Sequence, residues 1–195
     1  MVCILLAILR MPMTRRILPL ATAGLFAVMC RPAPAIAQDD ATPPPHVRPE
    51  HGLRSLVDEA RRRSPQVREL IDRLERLDVT VYIRARNFDQ LDLEGRIAML
   101  AGRTSHRYLV IELACGRTML SQMATLAHEL FHATEIAARP WVVDPDSLAA
   151  LYRRIGVQTG DHAGRQSFET TAAAAAGAQT RRELRVSNSR SSNGT

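Results

Sequence analysis

The chain has 195 residues, with 26 basic and 20 acidic side chains and a formal net charge of +6. Four of the basic residues, Arg10, Arg15, Arg16 and Arg31, precede residue 38, where no acidic residue occurs, so a chain cut after Ala37 keeps a net charge of only +2. That balance gives no ground for nucleic-acid binding, and Cys115, alone beyond residue 37, excludes an intrachain disulfide in such a chain.

Arg15 and Arg16 stand before an apolar run from Ile17 to Cys30, and Ala35-Ile36-Ala37 is a small-x-small pattern before Gln38. This is the layout of a secretory signal peptide over residues 1–37. It implies export to a periplasm or the exterior, with no stable membrane insertion after cleavage. The run falls short of the roughly 20 apolar residues a membrane span needs, which weighs against the competing reading, an uncleaved anchor. Met29 before Cys30 disfavours a lipoprotein. Residues 38–51, QDDATPPPHVRPEH, read as a linker rich in proline and charge.

Leu53, Leu56, Val57 and Ala60 then recur at helical spacing. Ser64-Pro65 is an N-cap with Pro at the first helical position, opening a helix whose apolar face carries Val67, Leu70, Ile71, Leu74 and Leu77. Val79, Val81 and Ile83 alternate with polar neighbours and predict a half-buried strand. RIAMLA and HRYLVIELA, split by the turn-like Gly102-Arg103-Thr104-Ser105, predict a hairpin, although RIAMLA also fits a helix. A helix is expected from about Met119 to Ala138, with Met119, Met123, Leu126, Leu130, Ala133 and Ala137 in one apolar stripe. Asp144-Pro145 caps another, with Leu148, Leu151, Tyr152 and Ile155 on its face and Gly156 at its end. Residues 156–166 read as a loop, a last helix is expected from near Ser167, and residues 186–195 read as a disordered tail. The order is α+β, with helices around a small sheet in one domain over residues 52–185.

The expected helix over 119–138 contains His128, Glu129 and His132 as H-E-x-x-H. At 100° per residue the two histidines lie about 40° apart and meet at one metal ion. They sit about opposite the apolar stripe, where a cleft is expected, with Glu129 about 100° round the helix. With six His and ten Glu, chance places such a motif in about one chain of this composition in a hundred.

The motif and its helical context resemble the zincin metallopeptidases. The resemblance covers about 14 residues. It implies an α+β fold with a small twisted sheet and a central HExxH helix. It also implies Zn2+ held by His128 and His132, and Glu129 as the general base that draws a proton from a metal-activated water. The substrate would be a peptide or protein. In that family an edge strand binds the substrate backbone, and HRYLVIELA is the expected strand. The chain departs from the metzincin branch, which continues HxxGxxH, because Glu135 and Ala138 stand at the Gly and third His positions. It fits better the gluzincin-like branch, in which a glutamate on a later helix is the third ligand; Glu169 in SFETTAAAAAG matches that expectation.

Other readings stay open. Glu135, His162 and Asp161 are rival third ligands, although Glu135 suits better the role of a hydrogen-bond partner to a histidine ring. Tyr152 suits the core better than catalysis, Asp144 is explained as an N-cap, and Cys115 reads as a small packed hydrophobe. Arg61-Arg62-Arg63 and Arg181-Arg182 read as solvated faces. The alternative to an exported zinc hydrolase is a non-catalytic exported protein that binds a metal or a partner.

Overall fold

The structure is a computed structural model that describes residues 4–5, 44–162 and 165–192. Beyond Ile4–Leu5, the expected signal peptide and residues 38–43 of the expected linker lie outside the described residues. In chain order the elements are β1 (Ile4–Leu5), β2 (Val47–Pro49), a short 3-10 turn (His51–Leu53), α1 (Arg54–Arg63), α2 (Pro65–Leu74), β3 (Val79–Arg86), β4 (Gly95–Arg103), β5 (His106–Ala114), α3 (Met119–Ala137), α4 (Pro145–Ile155), β6 (Val157–His162), β7 (Arg165–Glu169) and α5 (Thr171–Ser192). This is an α+β fold.

The main sheet has the order β2-β3-β5-β4. The first two pairings are parallel, and β4 lies antiparallel to β5. Ile83, Ile111 and Ile97 share one rung and are fully buried. With Val79, Val81, Leu109 and Leu113 they join the apolar sides of α1, α2 and α3 in a single buried cluster. Period-2 alternation in β3 is what makes this one-sided burial possible. On the polar side Glu112 of β5 pairs with Arg86 on β3 at 2.8 Å and with Arg96 on β4, tying three adjacent strands together.

Two caps are formed as their sequences foretell. Ser64 accepts from the Val67 amide, with Pro65 at the first helical position. Asp144 and Ser147 form a reciprocal capping box ahead of α4. RIAMLA is a strand, and the 156–166 segment is the antiparallel hairpin β6–β7 rather than a loop, with β1 paired to β7.

Four further expectations are corrected. HRYLVIELA is not the edge strand: β5 is paired on both sides, and the free edge of that flank belongs to β4. The last helix begins at Thr171, not near Ser167, because residues 165–169 pair with β6. It continues to Ser192, so most of the expected disordered tail is helical. Within the expected linker, Val47–Pro49 is a strand anchored on β3, its amide at Val47 bonded to Glu75 Oε1 at 3.1 Å. Among the described residues no helix is long and apolar enough to cross a membrane.

Candidate metal centre

α3 starts at an N-cap in which Thr118 accepts from the Ser121 amide at 3.2 Å. Its expected apolar stripe is buried except at Met119, which is exposed. The other side is buried as well, including His128, Glu129 and His132. The expected open cleft beside both histidines is therefore corrected: α3 is a central helix. Its histidine side is covered by the small residues of α5, where a Cβ on Gly177 would stand 3.2 Å from Ala124 O and 3.4 Å from His128 Cβ. Gly95, at the start of β4, makes a second close approach. A Cβ there would meet Thr125 Cγ2 at 2.5 Å and Glu129 Oε1 at 3.4 Å.

Four residues of helical spacing bring His128 Nε2 and His132 Nε2 to 3.0 Å. Glu169 completes the group, its Oε1 lying 3.3 Å from His128 Nε2 and 3.7 Å from His132 Nε2. These three residues form a buried to half-buried triad, with ligand atoms within 4.8 Å of one another, that could hold a metal ion. Glu169 reaches the triad from the end of β7, not from a helix as expected.

Glu135 is outside the triad and sets its geometry. Its Oε2 accepts from His132 Nδ1 at 2.7 Å, which leaves the Nε2 lone pair facing Glu169 and His128. Its Oε1 accepts from Thr170 Oγ1 at 3.0 Å. The Tyr152 hydroxyl donates to Glu135 Oε2 at 3.3 Å and lies 3.3 Å from His132 Nδ1. Tyr152 is thus a core residue, fully buried as expected, whose polar tip supports the site. Thr170 was not singled out by sequence. It also caps α5 by accepting from the Ala173 amide at 3.2 Å, and the N-cap signal before the alanine run becomes legible once the helix is started at Thr171.

Burial and the neighbouring His132 and Arg181 push His128 down to about 3. Burial acts in the same direction on His132, but hydrogen bonds that Glu135 and Glu169 accept, with the Glu129 and Glu135 charges, override it and push His132 up to about 9. Glu129 is fully buried and pushed up to about 8, first by burial, with Glu169 adding and His132 opposing. Neither of its carboxylate oxygens has a hydrogen-bond partner among the described residues.

A cleft of about 540 Å³ reaches His128 and Glu169 between α3 and α5, bounded by Glu94 and the α5 arginines Arg181, Arg182 and Arg185. His132 and Glu129 do not line it. Arg181 and Arg182 are exposed, as expected of a solvated face, and they also border this cleft. Asp161 and His162 stand on β6. Cys115 is exposed rather than packed. Comparison of the chain with family models, curated proteins and solved structures finds no match.

Proposed function

We propose that the chain is a zinc-dependent hydrolase of the zincin kind, acting on peptide bonds, with His128, His132 and Glu169 as metal ligands and Glu129 as general base. The observation that carries this reading is the convergence of three donor atoms beside a sealed, unpartnered carboxylate on the same helix. The residues fit the ion. Tetrahedral bonds of about 2.0–2.1 Å place zinc donors roughly 3.3 Å apart, and the three separations here are 3.0, 3.3 and 3.7 Å. Two imidazole nitrogens and one carboxylate oxygen are a donor set that suits zinc and leaves a fourth position for water or substrate.

When bound, the ion supplies Lewis acidity to a water molecule and to the substrate carbonyl. The chain's own residues do the rest. Glu135 fixes the His132 tautomer, and Tyr152 and Thr170 hold Glu135. Glu129, with its proton affinity raised by burial, takes a proton on a carboxylate oxygen and passes it to the leaving amine. The edge of β4 begins beside Glu129 at Gly95 and offers unpaired backbone groups to an extended peptide. Export by the N-terminal segment would place this activity in a periplasm or outside the cell.

One observation favours the alternative, a non-catalytic metal-binding protein: Glu129 is sealed and does not line the cleft. The test is metal content and turnover of the full chain, wild type against Glu129→Gln, on a mixed peptide pool. The hydrolase reading expects one zinc per chain in both proteins and a loss of turnover of about 100-fold or more in the variant. Equal turnover removes Glu129 from the mechanism. One zinc with no turnover in either protein supports the non-catalytic reading.

A further inference from the structure

The cleft extends well beyond the triad along one face of α5. Ala174, Gly177, Ala178, Arg181 and Arg185 recur at spacings of three and four and form one stripe. Its small part lies over His128; its guanidinium part begins one helical turn further on.

The charges on this wall are unequally compensated. Glu94, on the opposite side, accepts from Ser121 Oγ at 3.1 Å and Thr125 Oγ1 at 3.2 Å, and pairs with Arg181 at 3.6 Å. Arg182 donates from Nε and Nη2 to Gln179 Oε1, at 3.2 and 2.7 Å, and that acceptor is neutral. Neither Arg182 nor Arg185 makes an ion pair among the described residues. Glu169, the other acid of the cleft, belongs to the triad. Two positive charges therefore face the cleft without a counter-charge.

We propose that Arg182 and Arg185 form an anion subsite, and that the substrate is a peptide carrying Asp or Glu close to the bond attacked. This rests on the hydrolase reading and names its substrate class. A guanidinium presents parallel donors that match a carboxylate, so an acidic side chain is the natural occupant. The position follows from helix geometry. Arg182 and Arg185 lie five and eight residues beyond Gly177, roughly 7.5 and 12 Å along the axis. An extended peptide advances about 3.3 Å per residue, so the acidic residue falls about two to four positions from the scissile bond.

The test is binding to the zinc-loaded full chain carrying Glu129→Gln, followed by fluorescence anisotropy. The probes are dansyl-Ala-Glu-Ala-Ala-Glu-Ala and its counterpart with Gln in place of Glu. Two partly exposed charge contacts, each worth about threefold, make the acidic peptide about tenfold tighter at low salt. That preference should shrink at high salt and fall to about twofold or less when Arg182→Gln and Arg185→Gln are added. Equal binding of the two peptides, no measurable binding of either, or a preference that survives the double substitution overturns the subsite. Digestion of both peptides by the wild-type chain separates the two claims. An acidic preference in binding without cleavage removes the hydrolase and keeps the subsite, whereas equally fast cleavage of both peptides removes the subsite and keeps the hydrolase.

Discussion

A carboxylate sealed from water without a single hydrogen bond destabilises the chain that carries it, and Glu129 is in that position. Replacing it by Leu removes both unpartnered oxygens while keeping a similar volume. The metal-free Glu129→Leu protein should therefore melt above the wild type, by an amount that corresponds to about 1–3 kcal/mol; a lower midpoint by differential scanning calorimetry would show that the carboxyl group has a partner in solution. Glu135 has the opposite character. It is fully engaged by His132, Thr170 and Tyr152, and its removal frees the His132 ring to turn or change tautomer. Glu135→Gln should weaken zinc binding about 10- to 100-fold, measured by competition with a chelating dye, with little change in helix content by circular dichroism. Unchanged affinity would mean that packing alone holds the ring.

At the scale of elements, one helix contact decides whether the triad assembles. Gly177 lets α5 approach α3 at His128, where any side chain meets Ala124 O and the His128 Cβ. Gly177→Val should push α5 outward, carry β7 and Glu169 with it, and cost most of the zinc affinity; full affinity in that variant would mean that Glu169 reaches the site independently of α5. The cap of α4 makes a prediction in pH. Hydrogen bonds from the Ser147 amide and hydroxyl hold Asp144 below its ordinary 3.8. A depressed carboxylate stabilises the fold above its unfolded pKa and loses that contribution as pH falls through the folded value. Asp144→Ala should accordingly cost about 1 kcal/mol near neutral pH, and the gap to wild type should close in acid. A gap independent of pH would assign the cost to packing.

For the molecule as a whole, the local patterns were legible and the long-range ones were not. Ser64-Pro65, Asp144-Pro145 and the alternation in β3 are signals contained within a few residues, and each appears where the sequence places it. The two histidines were legible for the same reason, since four residues of helix bring them together whatever surrounds it. The order of strands in the sheet depends on pairing between distant segments, and so the pattern of β5 suggests the edge that β4 occupies. Gln158 through Glu169 carry loop-like Gly, Asp and His, and only the partner strand makes a hairpin of them. The burial of His128 and His132 comes from α5, whose alanines and Gly177 announce close packing but not its partner.

The central claim is that His128, His132 and Glu169 bind one zinc ion and leave a position open beside Glu129. Anomalous X-ray scattering at the zinc edge, from crystals of the full chain grown with zinc, is the measurement that tests it. A single peak is expected about 2.0–2.2 Å from one nitrogen of each histidine and one oxygen of Glu169, with no fourth protein ligand. A peak held by Glu135 in place of Glu169, a site closed by both glutamates, or no peak at the triad would contradict it.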